Sequence, residues 1–302
     1  MTTLFDIRRT KMIRKFTDED MGFLQEQDFV ASLELQYHND VIKDTAVTAV
    51  DDGGECVGVM YLKEHFTYGG ARADLNRIVP CIFTEDDNVF AELLSEAKRY
   101  CDGQAAEHPD KRAALAAWVD DDEHDRQQLF MRGGFMAYAV CPCLGYDLTD
   151  EVSVPVLPDG ITVRALEFTP EEVERYIQMT AEANDGDRDS ANEVWFTQGS
   201  GTYSIFVLED GDRLVSCASM WKITDERAAI ENIMCVPDYR RRGLARAVIL
   251  HTLSEIRAAG YKLATLGMQG RNLPAMKLYE SLGFELNYNQ IEMIYLPEAR
   301  KD

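Results

Sequence analysis

At 302 residues, with 46% hydrophobic and 28% charged side chains, the chain has room for two globular domains, and it lacks the apolar run of about eighteen residues that a membrane span requires. A formal net charge of -22 disfavours nucleic acid and anionic lipid, whose binding rests on neutralised phosphate, and it suits a cationic amine as partner. Seven cysteines, an odd number, argue against a disulfide framework and for a reducing, cytoplasmic setting. Cys141 and Cys143 sit too close together for a zinc pair, so no metal is expected.

Residues 1–20 carry Arg8, Arg9, Lys11, Arg14 and Lys15 without the apolar core of a secretory leader, and are expected to hold a first strand and its approach. A strand over 45–50, a turn at 51–54 and a return strand over 56–62 read as a hairpin. Another strand over 75–79 is expected to stop at Pro80, followed by a helix, a strand over 113–119 and a short helix into Gly134-Phe135. Pro155 and Pro158 mark residues 148–160 as a linker. The same order then repeats: strand 204–208, turn 209–212, strand 214–221, and strand 230–236 before Pro237. A helix follows, with Leu244, Val248, Ile249, Leu253 and Ile256 as its apolar stripe and Gly260 as its C-terminal cap. Strand 263–268 and a short helix into Gly283-Phe284 complete the second half. Strands and helices in this order imply α/β or α+β layers, divided as 1–147, a linker over 148–160, and 161–302.

The segment after the 230–236 strand reads Pro237-Asp238-Tyr239-Arg240-Arg241-Arg242-Gly243-Leu244-Ala245-Arg246. A helix N-terminus presents unpaired N–H groups and the positive end of the macrodipole, which together attract anions. Gly243 and Ala245 let an anion approach the backbone, and four arginines within seven residues place positive charge beside it. One strand later comes Gln269-Gly270-Arg271-Asn272-Leu273-Pro274-Ala275-Met276-Lys277-Leu278-Tyr279-Glu280-Ser281-Leu282-Gly283-Phe284. Asn272 suits an N-cap and Pro274 the first turn. Ala275, Leu278, Tyr279 and Leu282 share one face, and Gly283 ends the helix.

Arg240-Arg241-Arg242-Gly243-Leu244-Ala245 resembles the Arg/Gln-x-x-Gly-x-Gly/Ala signature of the GNAT superfamily of N-acetyltransferases, and the second segment resembles its Asn…Leu-Tyr-Glu-x-x-Gly-Phe motif. The resemblance is strong over 160–296 and rests on element order alone before that. It implies two tandem GNAT-like domains, each a mixed, mostly antiparallel sheet flanked by helices, with acetyl-CoA as acyl donor. Carried over by position, Ile233, Met234 and Cys235 would line pantetheine. Arg241, Arg242, Gly243, Leu244, Ala245 and Arg246 would cradle the pyrophosphate. Asn272 would contact the cofactor, and Tyr279, a phenol of pKa near 10, would protonate the departing thiolate.

The first half fails the same comparison. After Pro80 it offers Glu85, Asp86 and Asp87 and no arginine or glycine; Phe130 stands in the place of Tyr279, and Glu123 in that of Asn272. It reads as a degenerate, non-catalytic partner. Glu231, which alternates with Ile233 and Cys235 on one face of its strand, is the candidate general base. Cys235 is expected to act through its backbone, so transfer is direct. The loop 184–189, Trp195, Phe196, Tyr288 and Asn289 are candidates for acceptor selection, with a small-molecule or protein amine as the substrate class. A non-catalytic acyl-CoA-binding regulator with this fold is the alternative reading.

Overall fold

The computed structural model describes residues 12–37, 40–65, 75–184, 194, 201 and 203–297. Residues 1–11 of the expected first strand, and 185–189, Trp195 and Phe196 of the proposed acceptor loop, lie outside them.

Among the described residues, the first compact unit comprises 12–37, 40–65, 75–138 and 292–297. Its elements are β1 (Met12–Lys15), α1 (Met21–Gln27), α2 (Phe29–Tyr37), α3 (Asp40–Thr45), β2 (Val47–Val50), β3 (Cys56–His65), β4 (Asn76–Phe83), α4 (Asp87–Glu107), β5 (Ala113–Asp120), α5 (His124–Arg132) and the start of β6 (Met136–Asp147). Strands β1 to β4 pair antiparallel in sequence order, and β5 joins β4 in parallel. Strand β4 does not stop at Pro80 as the sequence suggests: Pro80 lies within it, opposite Leu62 of β3. The β4–β5 register covers only Asn76 to Ile78, so on that side Pro80 has no ladder to which it could fail to donate.

Among the described residues, the second unit comprises 139–184, 194, 201 and 203–291. It contains the remainder of β6, then β7 (Ile161–Ala165), α6 (Pro170–Ala183), β8 (Tyr203–Asp210), β9 (Arg213–Lys222), β10 (Arg227–Cys235), α7 (Leu244–Ala258), β11 (Leu263–Gly267), α8 (Leu273–Leu282) and most of β12 (Glu285–Tyr295). Strands run in the order β6-β11-β10-β9-β8-β7, with β10 and β11 the parallel pair. Helix α7 buries its expected stripe: Leu244, Val248, Ile249, Leu253 and Ile256 are all buried in the core. It ends in a Schellman motif, with Gly260 left-handed, its N–H donating to Arg257 O and the N–H of Tyr261 donating to Ile256 O. No helix among the described residues is long and apolar enough to cross a membrane.

The compact units do not follow the division 1–147, 148–160 and 161–302. Residues Cys143 to Asp147 of β6 pair with Gly267 to Leu263 of β11, so this strand belongs with the second unit although it precedes the linker. The chain from Glu292 belongs with the first unit. Ladder pairing is satisfied by any strand with a free edge, whatever its position in the chain. Residues 148–160 form no regular element, yet Leu148 and Val152 are buried in the second core, and the N–H of Leu148 donates to Lys262 O. The segment is therefore a packed strap.

Candidate functional site

The parallel register of β10 and β11 runs from Arg227↔Leu263 to Ala229↔Thr265 and stops. From Ile230 the strands part, and the backbone of β10 continues to Cys235 paired only with β9. On that side the ladder carries a bulge between Glu231 and Met234, where two residues of β10 oppose Ala218 alone. Asn232, inside the bulge, has φ of 50°. The sequence-predicted Ile233, Met234 and Cys235 all lie on this diverging stretch and are half-buried against the second core.

Beyond Val236 a single 3-10 turn, Pro237–Tyr239, leads into the arginine loop. Arg240 is extended, Arg241 left-handed at φ of 65°, and Gly243 left-handed at 82° as the N-cap of α7. A non-glycine residue with positive φ is uncommon and marks a backbone held for a purpose. Gly243 provides no side-chain cap, so the first-turn amides of α7 are left for another acceptor. A Cβ built on Gly243 would meet nothing within 4 Å, which leaves the space over those amides open.

Three of the four arginines are tied down. Arg240 donates from Nε to Cys235 O at 3.0 Å and from Nη2 to Ala183 O at 2.8 Å, locking the loop to the ends of β10 and α6. Arg242 lies over the Tyr239 ring at 4.5 Å, and the Tyr239 hydroxyl donates to Asp210 at 2.7 Å. Arg246 donates to the hydroxyl of Ser281 on α8 at 3.0 Å. Arg241 has no side-chain partner among the described residues. Leu244 is buried and Ala245 half-buried, so these two present backbone to the loop.

Helix α8 begins as the sequence suggests, with the Asn272 side chain accepting from the N–H of Ala275 at 3.3 Å. Tyr279 packs its ring against Phe284 at 5.8 Å, and burial pushes its phenol up to about 12. Its hydroxyl makes no hydrogen bond among the described residues. Because Arg246 and Ser281 link α7 to α8, the loop helix and the tyrosine helix are fixed to each other. Glu231 is exposed, midway along β10 at the last paired position before the bulge, and accepts a hydrogen bond from Trp221 Nε1 at 3.1 Å. The sequence reading missed both Trp221 and Tyr239. Tyr239 precedes the arginines in the motif, and its spacing of three from Arg242 was the available signal; Trp221 needed the strand register.

The first unit differs where its sequence differs. The Asp86 side chain caps α4, accepting from the N–H groups of Asn88 and Val89 at 2.7 and 3.2 Å. Arg126 lies over the rings of Phe90 and Phe130 at 4.0 and 5.8 Å, and desolvation lowers its pKa. The amides at this helix start are occupied by the protein's own carboxylate, and the ring at the Tyr279 position is covered by a guanidinium.

Residues 169–284 match the acetyltransferase (GNAT) family. The ribosomal protein bS18-alanine N-acetyltransferase of Escherichia coli K12 is 32% identical over 144 residues, spanning 47% of this chain and 92% of that enzyme. Among solved structures, a tandem GNAT protein from the clavulanic acid biosynthesis pathway aligns with a TM-score of 0.65 at 14% identity, covering 94% of this chain and 98% of that one. A GCN5-related N-acetyltransferase from Sphaerobacter thermophilus gives a TM-score of 0.61 at 13% identity, covering 94% and 95%. Both likenesses are of fold, and both extend over the two halves. Motifs, fold and the nearly full-length covered relative agree: the chain is an acetyltransferase and belongs to the acetyltransferase (GNAT) family.

Proposed function

We propose that the second unit moves an acetyl group from acetyl-CoA to a primary amine by direct attack in a ternary complex. The observation that carries this reading is the uncapped, left-handed turn of Arg241 and Gly243 at the end of a strand that parts from its parallel neighbour. A pyrophosphate fits such a turn because it needs convergent N–H donors and nearby positive charge, and here no side chain fills the space. Arg241, Arg242, Gly243, Leu244, Ala245 and Arg246 hold the phosphates, and the parted backbone of Ile233, Met234 and Cys235 pairs with the pantetheine arm. Asn272 contributes a side-chain amide beyond its cap.

When bound, the thioester supplies the activated acyl group. Glu231 takes the proton that the incoming ammonium must lose, directly or through water. Tyr279 keeps its proton throughout the neutral range and offers it to the sulfur as the thiolate leaves. The N-terminal unit takes no part in the chemistry, because Asp86 and Arg126 fill the places that the second unit leaves open. A protein α-amine is the first acceptor to test, since one relative is named for acetylating an alanine of a ribosomal protein.

Calorimetric titration with acetyl-CoA, followed by a thiol-release assay over a panel of amines and N-terminal peptides, tests the proposal. One site per chain with thiol release for some acceptor supports it. Binding without release for any acceptor would favour a regulatory acyl-CoA-binding protein, and no binding would remove the phosphate-loop assignment.

A further inference from the structure

Asn232 adopts φ of 50°, and it does so in the bulge of β10, between the candidate base Glu231 and the stretch proposed to pair with pantetheine. A left-handed residue in a strand reverts to extended backbone unless its surroundings hold it. Its surroundings are polar and connected. Asn232 Nδ2 donates to Tyr203 Oη at 3.4 Å, Tyr203 Oη lies 3.0 Å from Ser219 Oγ, and Ser219 Oγ donates to the main-chain carbonyl of Glu231 at 3.0 Å.

The direction of this chain follows from its end. The one hydroxyl hydrogen of Ser219 goes to the Glu231 carbonyl, so Tyr203 must be the donor to Ser219, and its oxygen is left to accept from Asn232. A chain ending on a carbonyl has no proton sink and cannot relay a proton from an amine. What it does instead is hold the N-terminal end of the bulge twice, by the side chain of Asn232 and by the carbonyl of Glu231. Two more side chains of β9 act on the same backbone: Cys217 Sγ donates to Asn232 O at 3.1 Å and Ser216 Oγ to Met234 O at 2.7 Å. Ser216, Cys217 and Ser219 are all buried, so these donors point into β10 from a fixed base.

We infer that Tyr203 and Ser219 are positioning residues, which pin the left-handed conformation of Asn232 and so set the bulge that aims the parted backbone of Ile233 to Cys235. The inference rests on the acetyl-CoA reading only for its functional consequence. The pin itself is a property of the free protein.

Glycine adopts positive φ without a Cβ penalty and needs no pin, so the effect of losing Tyr203 must depend on what stands at position 232. Two measurements on the full chain read this. In the free protein, Tyr203→Phe should speed amide exchange at residues 232–235 by about tenfold and leave Ala228 to Ile230 protected. Unchanged exchange overturns the pin. By calorimetry, Tyr203→Phe should weaken acetyl-CoA about tenfold against the natural Asn232, and less than about twofold when introduced into Asn232→Gly. An equal loss in both backgrounds overturns the inference, because the hydroxyl would then act by direct contact. Ser219→Ala cuts the same chain without altering the ring, and serves if Tyr203→Phe folds poorly; it must have the same background dependence. If the unaltered protein fails to bind acetyl-CoA, the cofactor reading falls, and the exchange experiment still decides the pin.

Discussion

Trp221 Nε1 donates to Glu231 Oε1 at 3.1 Å, reaching diagonally across the β9–β10 ladder from its register partner Ala229. Residues two apart on one strand share a face, so the indole is aimed at the carboxylate by the register itself. It holds the candidate base at the last paired position before the bulge.

Removing the carboxylate as a base should therefore cost more than loosening it. Glu231→Gln is expected to lower kcat by about 100-fold or more, and Trp221→Phe only by several-fold, with acetyl-CoA affinity nearly unchanged in both. A Glu231→Gln enzyme at full speed would leave Glu231 as a surface charge.

Tyr279→Phe should lower kcat by about 100-fold while acetyl-CoA still binds. Burial raises the phenol to about 12, so it is protonated at pH 7 and at pH 9, and the loss should be the same factor at both. The stability sign follows from the raised folded value: the contribution is complete below about pH 10 and is lost as pH climbs toward 12. Alkaline denaturation should begin later in the phenylalanine variant. A loss that grows between pH 7 and pH 9 would place another titrating group in the step.

At the loop, conformation and charge can be separated. Gly243→Ala should cost about 1 kcal/mol through its left-handed φ, because no neighbour lies within 4 Å of the added Cβ. Gly243→Asn, which tolerates that conformation better, should recover most of the melting temperature. Arg241→Glu should leave stability alone and weaken acetyl-CoA by about tenfold or more, with the difference shrinking in high salt. Unchanged affinity in the glutamate variant would place the pyrophosphate elsewhere.

In the first unit, Asp86→Ala should lower stability by about 1 kcal/mol through loss of the α4 cap. It should create no second acetyl-CoA site. A stoichiometry of two, before or after the change, would contradict the silent role proposed for this unit.

Arg77 and Glu292 form an ion pair at 2.5 Å with both side chains buried, joining β4 to the part of β12 that belongs with the first unit. Glu292→Gln leaves a buried cation and should cost about 3–5 kcal/mol, whereas Arg77→Met with Glu292→Leu should recover most of that loss. Chemical denaturation of the single and double variants measures it. A mild single variant would mean that solvent reaches the pair.

The elements most legible in the sequence were those built from local contacts. The α7 stripe, the Gly260 and Gly283 caps, the Asn272 N-cap and the two motifs depend on spacings of three or four residues, which the chain states directly. The hairpin strands were located, though β8 and β9 each reach closer to the turn than expected, leaving only Gly211 and Asp212 between them. Pro80 misled because its missing N–H matters only on a side with a ladder, and β4 has already parted from β5 there.

What the sequence by itself determined is the chemistry available: an arginine-glycine turn before a helix, a tyrosine on the next one, and their absence from the first half. What the tertiary structure decided is how the backbone carries it. The parting of β10 from β11, the bulge and left-handed Asn232, the Trp221–Glu231 contact and the pairing of β6 with β11 all join residues far apart in the chain. Register between strands is set by the packing of whole faces and by which edges are free, and a one-residue shift in it reassigns every partner. No local spacing carries that information, so candidate residues could be listed in advance while their arrangement could not.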